Sequence, residues 1–392
     1  MPDDGSMMRG WAHLTVCLSV IVAGCAEGRC PAFVHDAGVA GACPRTIEWA
    51  PVANDLVGPG ETVNAIWGSG ADDVWVVGWA ADPVERALVL RRSSAGWQRW
   101  ATGSRSGLLA VWGSAADDVW FAGGNVVHWD GASWNEIGQT GGAAIGGGCA
   151  AHGPWVAVDG VPPPMGALPS RDPSATFMRY DGHGWSRSQV APDAGRRGWY
   201  EWTSIAATSG SDVWAAGYIE AWQSGAAPDA LTEVLLHYDG DSWSPAPFDV
   251  DLPVGVYGSA SVALAVWIAA PDDVWVGGSH GPANDLVGLR PMCASLHRFD
   301  GTNWTAMPLP DSLDPTPEAV SSIWGSSAND VWVAAPPYGL LHWDGATWTS
   351  TAMGPAGGGS VEWNGLRTVV WGADPCHVWF AGGAMLFEGA PH

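Results

Sequence analysis

The chain of 392 residues contains no lysine, so every strong cation is an arginine. Lys+Arg 16 against Asp+Glu 40 leaves a formal net charge of -24. A surface this acidic repels phosphate backbones, which argues against nucleic acid as a partner. It also disfavours unaided contact with anionic lipid head groups. Long apolar runs are missing: the most apolar stretch, Leu14 to Ala23, is too short to span a bilayer. Tyrosine (6) and phenylalanine (7) are scarce, whereas tryptophan reaches 28. Gly 54 and Pro 29 indicate many turns and little helix.

The N-terminus reads as a targeting segment. Met7-Met8-Arg9 opens a short positive region, and Leu14 to Ala23 has the length of a signal-peptide core. Asp3 and Asp4 suit such a region poorly, which points to Met7 or Met8 as an alternative start. Val22-Ala23-Gly24-Cys25 resembles a bacterial lipobox. The resemblance implies a signal over residues 1–25, lipidation of Cys25, and a cell-envelope protein whose lipid is its only membrane contact. Ala26 after that cysteine favours the outer membrane or cell surface. Residues 26–45 read as a flexible tether.

From residue 46 to 389 the chain repeats. The clearest copy runs Ser322-Ile323-Trp324-Gly325-Ser326, Asn329-Asp330-Val331-Trp332, Leu340-Leu341-His342-Trp343-Asp344-Gly345 and Trp348. These are segments a, b, c and d. A second copy repeats it at Val111-Trp112-Gly113-Ser114, Asp117-Asp118-Val119-Trp120, Val127-His128-Trp129-Asp130-Gly131 and Trp134. The segments are short apolar runs, the mark of strands buried on both faces. Asp-Gly between c and d is a hairpin signal. Four strands every ~40–50 residues is propeller spacing.

The seventh copy stops at Met385-Leu386-Phe387-Glu388-Gly389, without segment d, while Thr46-Ile47-Glu48-Trp49-Ala50-Pro51 is a d segment with nothing before it. The expected fold is therefore all-β: a seven-bladed β-propeller of four-stranded antiparallel blades, closed by an N-terminal outer strand in the last blade.

Recurrence in register assigns most tryptophans to the core. The Asp-Asp before Val-Trp lacks the dense oxygen ligands of a calcium loop and reads as turn chemistry. His128, His237, His297 and His342 recur one per blade, so they cannot converge on one ion and read as structural hydrogen-bonding groups. No metal or cofactor is expected. After the signal is removed, Cys30, Cys43, Cys149, Cys293 and Cys376 remain. Cys376, in the a–b turn of the seventh copy, is the expected partner of Cys43 or Cys30, so that a bond pins the closure. A Cys30–Cys43 pair would only staple the tether.

Several families share parts of this pattern. Val274-Trp275-Val276-Gly277-Gly278, Phe299-Asp300 and Trp304 resemble a kelch repeat, the repeat of galactose-oxidase-like central domains. Asp300-Gly301-Thr302-Asn303-Trp304 is similar to the Asp-box of sialidase-type propellers, and Val127 to Trp134 to tectonin-type lectin repeats. The Ile-Trp-Gly-Ser…Asp-Val-Trp motif resembles Trp-rich repeat lipoproteins of bacteria.

Loop lengths locate a site. The a–b and c–d turns are short and uniform. The b–c loops Asp159–Thr176, Tyr218–Glu233 and Ser279–Ala294 are long, as are the d–a loops Ser186–Glu201 and Pro245–Ser259. Variable loops on a rigid scaffold are where binding usually sits. Arg196, Arg197, Trp199, Tyr200, Trp222, His280 and Arg290 are the candidate ligand-binding residues, suited to a sugar or peptide. No sialidase arginine cluster or galactose-oxidase copper site is recognisable. The expected function is non-catalytic: a binding or scaffold propeller for a protein or glycan. A tectonin-like lectin is the first alternative and a sialidase-type envelope glycoside hydrolase the second.

Overall fold

The computed structural model describes residues 43, 46–52, 56–139, 144–147, 153–160, 173–191, 197–222, 230–246, 248, 259–282, 293–313, 316–336, 339–353 and 368–391. The proposed signal, Cys25, Cys30 and Cys149 lie outside them. The described residues contain no helix, and their strands form seven four-stranded antiparallel blades. Blades 1 to 6 span residues 62–99, 108–139, 144–190, 197–245, 259–306 and 322–352. Blade 7 takes three strands from residues 368–391 and its outer strand from Ile47–Pro51.

The two ends of the chain meet as the repeat pattern requires. Ile47–Pro51 pairs antiparallel with Met385–Pro391, from Ile47 opposite Pro391 to Pro51 opposite Phe387. The inner strand of blade 1 (Thr62–Gly70) touches that of blade 2 (Leu108–Ala115) and that of blade 7 (Thr368–Asp374). The inner strands thus form a closed ring, which protects blade edges that would otherwise be open. Cys43 is disulfide-bonded to Cys376, across a sequence separation of 333.

Adjacent blades interlock through tryptophan and glycine. The inner-strand indole of one blade lies on a glycine of the next: Trp67 on Gly113, Trp112 on Gly146, Trp267 on Gly325, Trp324 on Gly372, and Trp371 on Gly68. A Cβ added at Gly113, Gly325 or Gly68 would come within 2.6, 2.7 or 2.8 Å of that ring. Blades 3 and 4 carry Gly147 and Ala206, not tryptophan, opposite their second-strand tryptophans. The blades that follow them have Ala207 and Ile268 where the others have glycine. Glycine stands where a neighbouring indole needs the space and is replaced where none comes. The pair Trp371 and Gly68 joins the last blade to the first.

A second interlock lies further out. The second-strand tryptophan of one blade meets the outer aromatics of the next, as Trp75 meets Trp129 and Trp134 at 6.2 and 5.9 Å. Trp155 meets Tyr238 and Trp243 in the same way. Trp332 of blade 6 meets Trp49, at 5.7 Å, on the strand supplied by the N-terminus.

The recurring polar residues clasp strands within a blade. Asp118, Asp212 and Asp330 bond His128, His237 and His342 at 2.7, 2.7 and 2.6 Å, and each imidazole stacks on the tryptophan two residues after its aspartate. In blades 1 and 5 arginine takes the histidine's place: Arg91 bonds Asp73 and Arg298 bonds Asp273 with two nitrogens. This corrects the sequence reading of His297. It lies one residue off the clasp position and packs edge-on against Phe248.

The c–d segments form the hairpin that Asp-Gly signals. In blades 2 and 6 Trp129 pairs with Trp134 and Trp343 with Trp348, so four residues make the turn, whereas in blade 1 Ser93 pairs with Gly96 and two residues make it. The carboxylates of Asp130, Asp181, Asp239, Asp300 and Asp344 each accept the two amides that follow the glycine. The glycine takes the positive φ, for example 88° at Gly131 and 91° at Gly345. The aspartate bonds make the longer turn as tight as a two-residue one.

Candidate functional site

The a–b and c–d turns on one face of the ring are short copies of each other. Blade-specific structure stands on the opposite face, and much of it is strand where the sequence suggested loop. Blade 4 extends its first three strands to Arg197–Ser209, Asp212–Trp222 and Ala230–Tyr238. Blade 5 does likewise with Ser259–Ala270 and Asp273–Pro282. The two extensions join where Leu231 pairs in parallel with Ala260, making one continuous sheet. Gly281 and Pro282 read as turn residues, but Pro282 ends its strand opposite Ser259, where a missing N–H costs little.

This extension places the sequence-nominated residues as follows. Trp199 and Tyr200 lie in the first strand of blade 4 and are buried, so their rings serve packing; Tyr200 stacks on Trp202 at 5.9 Å. Arg197 and Trp222 are opposite one another at the strand ends. His280 is half-buried between Ser261 and Cys293, directly opposite both, and burial lowers its pKa. Cys293 is exposed with a free thiol. Arg196 and Arg290 lie outside the described residues.

Composition gave no sign of the acidic cluster that the extension gathers. Glu201 faces Tyr218 across the ladder, Tyr218 faces Glu233, and Trp199 faces Glu220. The Tyr218 hydroxyl donates to Glu201, and so does Trp199 Nε1 at 3.3 Å. From blade 3, Asp159 accepts the Trp202 amide at 2.8 Å. Burial, together with the nearby Glu201 carboxylate, pushes Asp159 up to about 8 and Glu220 up to about 7. Burial alone raises Glu233 to about 7, against a hydrogen bond with Ser261. Burial and then Glu201 push the Tyr218 phenol up as well.

A carboxyl whose folded pKa exceeds its unfolded value binds more protons in the folded state, so stability falls as pH rises between the two. The fold is therefore expected to be most stable below about pH 4 with respect to these three groups, losing that contribution progressively up to about pH 8. Asp159→Asn should flatten this slope while keeping the oxygen that accepts the Trp202 amide. Urea midpoints measured from pH 4 to 9 check it; equal slopes for both proteins would contradict the assignment.

Blade 1 carries a second feature on this face that the sequence reading missed. Trp79 is 46% exposed, the one exposed tryptophan among the described residues whose burial is defined. Trp79 occupies no recurring repeat position, and that singularity was the available signal. Arg86 lies over its ring at 5.4 Å. The loop beneath is well tied: Glu61 receives two bonds from Arg99, at 2.9 and 2.8 Å, and Glu85 accepts the Gly103 amide and the Thr102 hydroxyl. Among the described residues no three His, Cys, Asp or Glu side chains gather as metal ligands.

The fold defines the chain as a seven-bladed β-propeller. No family model matches it, and no curated protein matches its sequence. Solved structures with a similar fold include YCF48 bound to D1 peptide, with TM-score 0.52 and 13% identity, covering 91% of this chain and 100% of that one. The extracellular domain of the one-component system BT4673 from B. thetaiotaomicron has TM-score 0.55 and 9% identity, over 88% of this chain and 40% of that one. A polysaccharide lyase, PL25 ulvan lyase bound to -[GlcA(1-4)Rha3S]-, has TM-score 0.50 and 11% identity, over 89% of this chain and 94% of that one. At these identities the likeness shows the fold.

Proposed function

We propose that this propeller is a non-catalytic binding or scaffold protein of the cell envelope, lipid-anchored through Cys25, that takes a protein or glycan ligand on the b–c and d–a face. One observation carries the reading: the strand extensions that raise the sheet of blades 4 and 5, and the exposed Trp79, lie on that face. The described turns on the other face are short. Rigid scaffolds that vary on one side place recognition there. Similar propellers include one solved with a bound peptide and one with a bound sugar polymer, which suits either ligand class.

The test uses the full lipidated chain in detergent, probed on glycan and peptide arrays. A second protein has residues 219–232 and 280–293 replaced by short Gly-Ser turns. The full chain is expected to bind members of one array, and the shortened protein to lose at least tenfold in affinity for them or, if Trp79 alone recognises them, to keep it. Blank arrays for the full chain, or turnover of any arrayed glycan, would overturn the reading.

A further inference from the structure

We infer that Trp79, Arg86 and Arg105 form a subsite for an acidic sugar, a uronate residue of a polysaccharide. The inference shares the loop face with the proposed function but stands on blade 1, so the raised sheet of blades 4 and 5 has no part in it.

Three observations converge. First, an indole is left in solvent by a protein that hides its other described tryptophans wholly or in large part. It is held in place, not dangling: it ends a strand opposite Thr62, and a Cβ at Gly107 would come within 3.2 Å of its ring. An aromatic platform of this kind receives the C–H face of a sugar ring at little entropic cost, because the side chain is already ordered.

Second, Arg86 at the ring and Arg105, on the loop bonded to the Arg86 backbone, are unengaged. Arg91, Arg92, Arg99 and Arg298 are each paired with a carboxylate. Arg86 and Arg105 are exposed and make no ion pair or side-chain hydrogen bond. Arg86 lies over the indole, and stacking leaves the in-plane N–H groups of a guanidinium free to donate. Two unpaired cations on loops bonded to each other, on a chain of net charge -24, suit a carboxylate ligand.

Third, the loops that carry these residues are locked to each other. The Arg86 amide donates to the Ser104 carbonyl at 3.1 Å, and the Ala80 amide to the Arg86 carbonyl at 2.8 Å. Glu85 holds the Thr102–Gly103 segment. The subsite is therefore formed before ligand arrives. A single platform with a guanidinium at its ring matches one sugar ring bearing one carboxylate. An acidic peptide would offer the arginines their charge but nothing to cover the indole.

Titration calorimetry of the full chain with tetrasaccharides of galacturonate, glucuronate and mannuronate, beside neutral tetrasaccharides and tetraglutamate, tests this. At least one uronate probe should bind at least tenfold more tightly than its neutral counterpart. Trp79→Ala should weaken it tenfold or more, and Trp79→Phe should restore part of the loss. Arg86→Gln with Arg105→Gln should abolish the preference for uronate over neutral sugar. These surface changes should leave the thermal midpoint unchanged, which separates lost binding from lost fold. No uronate binding, binding indifferent to these substitutions, or tetraglutamate binding as well as the uronates would overturn the inference. Loss of binding on shortening blades 4 and 5, with the Trp79 variant unaffected, would sink this subsite and leave the proposed function standing.

Discussion

Replacing Trp371 by alanine is expected to lower stability by about 3–5 kcal/mol, the cost of emptying a large buried aromatic site. Trp371 is 1% exposed, and its ring tip is the contact between the last blade and Gly68 of the first. Against a total stability of ~5–15 kcal/mol, the loss is a large fraction. Urea unfolding should show a lower midpoint with the slope unchanged, because the unfolded surface is the same. Neighbouring junctions carry the same element, so Trp324→Ala should cost a similar amount. A loss below about 1 kcal/mol would mean that the indole is not the filler of that junction.

The second large effect concerns the covalent closure. Cys376→Ser should cost about 2–5 kcal/mol, as expected for a native disulfide that closes a long loop. Cys43 lies just before Ile47–Pro51, the outer strand of blade 7, and Cys376 lies in the turn between the first two strands of that blade. Without the bond, the outer strand keeps its ladder to Met385–Pro391 and the amide of Val52 on Leu386, but loses its covalent tie. Limited proteolysis should then cut near residue 46 in the variant or under reductant, and not in the oxidised protein. Equal cutting in both would show that the bond contributes nothing to holding the strand.

Much of this fold was legible because the repeat compares itself. Trp67, Trp112, Trp267, Trp324 and Trp371 recur at one position, and burial of every one follows from it. The orphan strand at residues 46–51 and the truncated last copy were legible for the same reason. The glycine partners were equally readable, since Ala207 and Ile268 follow the two blades that lack the inner tryptophan. That pattern relates neighbouring copies, so it is missed when each copy is compared only with a consensus.

The site was less legible, for physical reasons. Strand extensions in blades 4 and 5 lack the double-sided apolar pattern, because their outer ends leave the ring and one face holds Glu201, Glu220 and Glu233. Polar, glycine-bearing segments of that kind look like loops. Trp199 and Tyr200 were chosen as aromatic and loop-borne; once those residues are strand, Tyr200 joins the core and Trp199 is buried on the opposite face beside Glu201. Trp79 was hidden by the abundance of core tryptophans, although it ends a second strand in solvent. The exchange of histidine for arginine at Arg91 and Arg298 preserves a donor to aspartate, so the function of the position persists while its letter changes.

A double-mutant cycle between Gly68 and Trp371, 303 positions apart in sequence, tests the ring most directly. A Cβ at Gly68 would meet the Asp73 carbonyl at 2.4 Å as well as the indole at 2.8 Å, so its own ladder and the neighbouring ring both resist it. Gly68→Ala should therefore cost on the order of 1–3 kcal/mol in the presence of the indole, and only the indole's share of that cost is relieved once Trp371 is alanine, a coupling of roughly 1 kcal/mol. Strictly additive effects would contradict it, since residues of an unclosed array would not feel each other across that distance.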